Sequence, residues 1–230
     1  MLRRFDLHLH TEASPDSLLS PAELLEVCLR KGLAGVAITD HDTIAGALEV
    51  LRLTPAGLQI IVGEEVASLQ GEVLGLFLRK EVPAAMDVWA TARAIRAQGG
   101  LVGVPHPCDS WRHVLPLEVV EELARAGLLD FVEGRNGRVL RQENNHRAEA
   151  LGRRLALPLT AGSDAHSVWE VGACTVLLPA FSGPQEFLAA LARGRLLGRP
   201  SPPWSKVGSV VARLRRYGRS ALRPQTPGGS

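Results

Sequence analysis

The chain of 230 residues is 46% hydrophobic but only 4% aromatic, enough apolar material for one large α/β domain with an aliphatic core. No apolar run approaches the ~20 residues that cross a bilayer, and three cysteines without CxxC spacing (Cys28, Cys108, Cys174) argue against a disulfide framework or an all-cysteine zinc site. The net charge of +2 hides an asymmetry: residues 1–186 carry 17 basic against 24 acidic residues, a net of −7, and nine basic but no acidic residues follow.

Phe5-Asp6-Leu7-His8-Leu9-His10 alternates apolar and polar residues, which predicts a β-strand. His8 and His10 then share a face about 7 Å apart at ~3.3 Å per residue, close enough to converge on one metal ion. Met1-Leu2-Arg3-Arg4 leads straight into this strand with no signal-peptide stretch, so a cytoplasmic protein is expected. A polar stretch containing Asp16 follows. Ser20-Pro21-Ala22-Glu23 reads as an N-cap, a proline at N1 and a carboxylate at N3, opening a helix that stops near Gly32.

Gly35 to Thr39 is predicted as a buried strand ending on Asp40-His41-Asp42, with Asp42 the preferred cap of the next helix. Leu58 to Gly63 is a third strand, ending at Glu64-Glu65, and Glu72 to Phe77 is expected to pair with it through a turn at Gln70-Gly71. Glu64 falls on the opposite face from Glu65 and is assigned a structural or solvated role. A helix over 84–98 precedes a strand from Leu101 to Val104 that ends at His106. Helix 117–126, strand Leu129 to Glu133, helix 143–156, strand Leu157 to Ala161, strand Gly172 to Leu178 and helix 184–194 complete the pattern.

A β-then-α order repeated about seven times predicts a parallel sheet with covering helices. The polar residues gather just after the strands, where α/β barrels place their working rim. His8, His10, Glu65 and Asp164 are expected on one ion, Glu65 and His106 on a second, and Asp16, His41 and His166 on a third. Mixed imidazole and carboxylate donors favour Mn, Fe or Zn, and paired ions can share a hydroxide nucleophile and clamp a phosphoryl group. Asp6 is read as a partner that orients a ligand histidine. His41 and His166 are candidate proton donors to the leaving oxygen if neither holds a metal. Arg112, Arg135 and Arg138 are candidate phosphate clamps, or else solvent-facing loop arginines, and Asn136 joins them as a candidate substrate contact. His113 and His146 read as surface residues.

The motifs DLHLHT, ITDHDT, GEEV, the HP of VPHP, and GSDAH together resemble the PHP family, named after polymerase and histidinol phosphatase domains, from Asp6 to about Leu178. The resemblance implies a distorted (β/α)7 TIM-like barrel in a single domain and a metal-dependent phosphoesterase with two or three divalent ions on the ligand sets above. Many relatives carry histidine where this chain has Glu72, a carboxylate that still ligates but changes charge and metal preference. Histidinol-phosphatase-like members tend to carry histidine at the position of Asp16. Aspartate there is closer to the branch that acts on 3′,5′-bisphosphonucleotides and, as 5′→3′ exonucleases, on short RNA.

The expected substrate is thus a phosphorylated small molecule, nucleotide or short RNA, with no membrane and no obligate protein partner. Alternatives are a histidinol phosphatase or another small-metabolite phosphatase, and a non-catalytic metal-binding accessory domain. Residues 1–200 are expected to form the barrel and 201–230 a basic helix and disordered tail. Val207, Val210, Val211 and Leu214 recur there at helical spacing among Arg213, Arg215, Arg216 and Arg219, which suits either nucleic-acid steering or simple closure of the barrel.

Overall fold

The computed structural model describes residues 1–202, so the expected C-terminal helix lies outside the described residues. Nine strands form one sheet in the order β7-β6-β5-β4-β3-β2-β1-β8-β9. They are β1 (Arg3–Leu9), β2 (Gly35–Ile38), β3 (Gln59–Ala67), β4 (Glu72–Leu76), β5 (Leu101–Val104), β6 (Phe131–Asn136), β7 (Leu159–Gly162), β8 (Cys174–Leu178) and β9 (Arg195–Gly198). Six helices accompany them among the described residues: α1 (Pro21–Arg30), α2 (Ala45–Leu53), α3 (Val88–Ala97), α4 (Leu117–Arg125), α5 (Gln142–Arg154) and α6 (Pro184–Leu191). The sheet curls until the segment after β7 meets β1, where His10 N donates to Ala165 O at 2.9 Å and Asp164 N to His8 O at 2.7 Å. The result is the expected distorted barrel, nearly closed, in one domain.

The sheet is not purely parallel. β4 runs antiparallel to both β3 and β5, and β8 and β9 add antiparallel strands outside β1. The hairpin at Gln70-Gly71 accounts for β4: a tight turn returns the chain beside its neighbour, whereas a parallel partner needs a long crossover. Gly71 supplies φ +152° there. The short strand β9 carries no alternation that reads as a strand, and the sequence reading missed it.

Three apolar clusters hold the elements in place. Phe5, Leu7, Ala37, Ile61 and Phe131 pack inside the barrel, where α6 contributes Phe187 and Leu191. Leu9, Val36 and Ile38 pack under α1 and α2 through Leu24, Cys28 and Val50. Val102, Val104 and Val132 pack under α3 and α4 through Ile95, Val120 and Leu123. Leu7 and Leu9 thus lie in different layers. The β1–β2 register shifts between Asp6 and Leu9, and that irregularity breaks the simple alternation read from the sequence.

Helix α1 begins as expected, with Ser20 and Glu23 forming a reciprocal capping box and Pro21 in the first turn. Helix α2 does not. Asp42 sits at φ +54° and accepts from Ala67 N at 2.7 Å, so it ties the β2 loop to β3 instead of capping. Thr43 Oγ1 accepts from Ala45 N at 3.1 Å in its place.

The closure between β7 and β1 depends on Gly162. A Cβ there would lie 2.2 Å from His8 Cβ and 2.6 Å from His8 N, so neither strand could stay where it is. Gly162→Ala is expected to destabilise the fold by about 1–3 kcal/mol, the usual cost of overpacking, read as a lowered urea midpoint. An unchanged midpoint would mean that the two strands have slack.

Candidate metal centre

The strand ends deliver five imidazoles and four carboxylates to one end of the barrel. His8 and His10 come from β1, His41 follows β2, Glu65 sits on β3, Glu72 on β4, His106 follows β5, and Asp164 and His166 follow β7. Asp16 comes from the loop after β1. Three of these loop residues lie near positions of unusual backbone: His106 (φ +28°) and Asp164 (φ +54°) are themselves left-handed, and Asp42 adjoins His41. Holding non-glycine residues there costs free energy that the surrounding contacts must offset.

Distances within the cluster are short. His8 Nε2 and His10 Nε2 are 3.2 Å apart, and each is 3.3 Å from Glu65 Oε2. Asp164 Oδ1 is 3.4 Å from His10 Nε2 and 3.9 Å from His8 Nε2. Donors that share an ion at ~2.1 Å stand about 3.0–3.4 Å from one another, so four atoms from β1, β3 and the β7 loop already have nearly that spacing. The other oxygen of Glu65, Oε1, is 3.0 Å from His106 Nε2, which is 3.7 Å from Glu72 Oε2. On the remaining side Asp16 Oδ1 is 3.3 Å from His166 Nε2 and 3.7 Å from His41 Nε2. Glu65 Oε2 and Asp164 Oδ1 are fully buried, accept no hydrogen bond and point into the cluster. Buried carboxylate oxygens in that state need a cation, and the mixed imidazole and oxygen set fits a divalent ion of the Mn, Fe or Zn type.

Three of the five histidines, His8, His10 and His166, are oriented by a second contact. Glu133 Oε1 is 3.0 Å from His8 Nδ1, so an Nδ1–H donated there leaves Nε2 for the cluster. His10 Nδ1 meets Ser14 Oγ at 3.1 Å, and Ser14 in turn donates to Asp40 at 2.7 Å. His166 Nδ1 donates to Asp164 O at 2.8 Å. Asn136 Nδ2 donates to both Glu133 and Asp164 at 3.0 Å, which makes it a brace between two site carboxylates and not an outward substrate contact.

Charge in the metal-free cluster is balanced by protons. Burial works against a charge on His10, but the facing carboxylates of Asp164 and Glu65 outweigh it and hold its pKa at about 9. His8 is also raised, against its burial, by Glu133, Glu65 and Asp164. Glu65 and Asp164 resist burial and fall well below the usual carboxylate range, Glu65 through His8 and His41, Asp164 through Arg112 and His8. Burial raises Glu72 to about 8, helped by the negative charge of Glu65. Burial lowers His41, and burial with the charge of His10 lowers His166 to about 3. Both are therefore neutral imidazoles at pH 7, suited to ligation and not to donating a proton to a leaving group.

Several sequence assignments need correction. Arg135 does not reach the cluster: its Nε lies 2.7 Å from Glu149 on α5. The register shift between Glu133 and Arg135 in the β6–β7 pairing falls just before this residue. Asp6 orients no histidine ring; it accepts from Ser163 N and Gly172 N at 2.8 Å and so pins the segments after β7 and before β8. Of the two roles offered for Glu64 the structure has the structural one: it is buried, Oε2 accepts from Val82 N at 2.9 Å, and burial lifts its pKa to about 7. The residues missed were Glu133 and Ser14. For Glu133 a signal was available, since it is a carboxylate in a buried strand of the barrel and a ligand histidine usually donates to a carboxylate.

A cleft of ≈ 280 Å³ opens over the cluster, lined by Asp16, His41, Glu72, Trp111, Arg112, His113, Arg138 and His166. Arg112 Nη2 lies 2.7 Å from Asp164 Oδ2, and Arg138 Nε 3.5 Å from Glu170. Both arginines are thus held at the cleft by carboxylates behind them.

Two measurements check this geometry. His8→Ala is expected to lower bound metal by about one ion per chain in elemental analysis, whereas Arg135→Ala leaves metal content unchanged and costs at most about 1 kcal/mol of stability, as for a partly exposed pair. In the metal-free protein, His10 is more basic than in the unfolded chain. Its contribution is therefore fully present below pH ~6.5 and is lost as pH rises toward about 9. Thermal melts in chelator should fall over that window. Metal-loaded melts should not, because ligation has already displaced the proton.

Comparison with known proteins places this geometry. The model of the PHP domain matches residues 6–146, and the PHP-associated model matches residues 142–196. The uncharacterized protein MJ0417 of Methanocaldococcus jannaschii is 34% identical over 198 residues, covering 82% of this chain and 78% of that protein. A 5′-3′ exoribonuclease of Haemophilus influenzae is 30% identical over 132 residues, 52% of this chain and 48% of the relative. A two-domain protein of Bacteroides vulgatus, described as containing a predicted PHP-like metal-dependent phosphoesterase, shares the fold with a TM-score of 0.73 at 17% identity, over 86% of this chain and 65% of that one. The chain therefore spans less than two thirds of both the exoribonuclease and the Bacteroides protein. The domain match alone takes in more than half of the chain, and the protein belongs to the PHP domain family.

Proposed function

We propose that this protein is a metal-dependent phosphoesterase that hydrolyses phosphate esters of nucleotides, such as 3′,5′-bisphosphonucleotides, or removes nucleotides from short RNA in the 5′→3′ direction. The observation that carries this reading is the division of Glu65. Its Oε2 faces His8, His10 and His41 at 3.3–3.4 Å while its Oε1 faces His106 at 3.0 Å. One buried carboxylate with an oxygen toward each of two donor groups is what a pair of adjacent ions would use.

His8, His10, Glu65 and Asp164 would hold the first ion, Glu65, His106 and Glu72 the second, and Asp16, His41 and His166 a third. Such ions, when bound, acidify water to a nucleophile near neutral pH and neutralise charge on the phosphoryl oxygens. The chain's own residues do the rest. Arg112 and Arg138 present guanidinium groups at the cleft, where planar donors match phosphate oxygens. Asp164 and Glu170 keep those groups in position. Barrel packing buries the cluster from below, and the cleft opens over it. At ≈ 280 Å³ the cleft has room for a phosphoryl group and the sugar that bears it.

Nucleotide or RNA substrates are favoured over histidinol phosphate by Asp16 beside His166 and by the likeness to the exoribonuclease of Haemophilus influenzae. The test is a substrate panel on protein of known metal content: a 3′,5′-bisphosphonucleotide, a 5′-phosphorylated oligoribonucleotide and histidinol phosphate. Turnover of either of the first two is expected, and Arg112→Ala should lower kcat/KM by about 10²-fold while metal content holds, the scale of a lost charge-assisted phosphate contact. Turnover of histidinol phosphate alone would move the assignment to a metabolite phosphatase. No turnover on the panel would favour a non-catalytic accessory domain.

A further inference from the structure

The catalytic cleft does not end at Trp111. This indole is 78% exposed and forms the ridge between the cleft and a second hollow of ≈ 390 Å³. Cys108, Leu117, Arg141, Asn144 and Arg147 also line that hollow. A third hollow of ≈ 270 Å³ continues it, sharing Cys108, Leu117 and Arg147. Among the described residues, no carboxylate lines either one. Arg141 and Arg147 are exposed, and neither enters an ion pair among the described residues, although Arg135, Arg153 and Arg154 nearby all do. The acidic ligand cluster is therefore followed, across one exposed aromatic ring, by a groove with positive walls and an apolar floor.

We infer that this groove binds the second nucleotide of a single-stranded oligoribonucleotide and the phosphate that follows it, while the first nucleotide and the phosphate that joins it to the second lie in the metal cleft. The inference rests on the phosphoesterase reading only for what occupies that cleft. An exposed ring beside a basic track is the combination that holds single-stranded nucleic acid, since a base stacks on the ring and the arginines meet the backbone. Stacking on a single ring tolerates any base, so the groove selects for chain length and not for sequence. A mononucleotide fills the cleft but leaves the groove empty. Oligonucleotides accordingly gain affinity that bisphosphonucleotides do not.

The experiment compares wild type with the double variant Arg141→Gln/Arg147→Gln and with Trp111→Ala, using the full chain. Binding of a fluorescent 5′-phosphorylated hexaribonucleotide and of adenosine 3′,5′-bisphosphate is measured by anisotropy and competition, and turnover of both is followed separately. The ratio of hexamer to mononucleotide affinity is expected to fall about tenfold or more in each variant. The log–log salt slope for the hexamer should also become shallower by about 1.4 in the double variant, as for two lost phosphate contacts on a single strand, and Trp111→Phe should restore most of the loss of Trp111→Ala. An unchanged affinity ratio, or equal wild-type affinity for the two ligands, overturns the groove. Hexamer binding that follows the expected pattern in a protein that hydrolyses neither ligand upholds the groove and overturns the phosphoesterase reading instead.

Discussion

The structure is built around buried negative charge that its cationic side chains offset only in part, Arg112 lying 2.7 Å from Asp164 Oδ2. Glu65 and Asp164 are fully buried carboxylates whose inward oxygens accept no hydrogen bond. A buried anion without a partner is among the costliest features a fold can carry. In the absence of metal, protons held on His8 and His10 serve as the counter-charge, which is why both imidazoles are more basic than their burial alone would allow. Protons are poor substitutes, because they leave positive charge on two rings whose Nε2 atoms are 3.2 Å apart. A divalent ion removes that repulsion and satisfies both carboxylates at once. Metal binding and stability are consequently one equilibrium here.

That requirement explains features of the fold that packing alone does not. Barrel closure brings Gly162 against His8 with no space for a side chain, so the last parallel strand and the first are fixed by the same contact that sets the histidine. Left-handed backbone at His106 and Asp164 turns two donors inward at the ends of β5 and β7. Asp40 gathers Thr11 N, Thr11 Oγ1 and Ser14 Oγ within 2.6–2.8 Å and so fixes the loop that orients His10. The strain and the buried polar network are offset by one another, and both converge on the donor atoms.

Much of this was legible in the sequence because the donors follow strands. Apolar runs mark β2, β3 and β5, and a cluster residue, His41, Glu65 or His106, follows each run within three positions. What was not legible depends on local departures from regularity. A register shift in β1 separates Asp6 from the histidines it appeared to accompany, and another in β6 lies just before Arg135, which pairs with Glu149. Alternation assigns faces only while the pleat is unbroken. Asp42 was misread for a related reason. Its cap role requires extended backbone, but its φ of +54° directs the carboxylate to Ala67 N. Trp111 carried no periodic signal at all, since its position between two hollows is a property of the surface and not of any element.

Glu72 sets the balance among the three donor groups. An imidazole at this position would be a neutral donor for the second ion, whereas a carboxylate beside Glu65 adds a negative charge to a buried pocket. In the metal-free state that charge is suppressed, because burial and Glu65 together lift Glu72 to about 8 and keep it protonated at neutral pH. An ion taken up by Glu65, His106 and Glu72 must first displace this proton. Once it has done so, it is held by one more formal charge than an imidazole would provide, on an oxygen donor that suits manganese or iron better than the softer nitrogen does. The substitution therefore makes the second ion harder to admit at low pH and harder to lose at high pH. An ion on His8, His10, Glu65 and Asp164 would displace the protons of His8 and His10 instead, so the two groups would differ in proton dependence although they share a carboxylate.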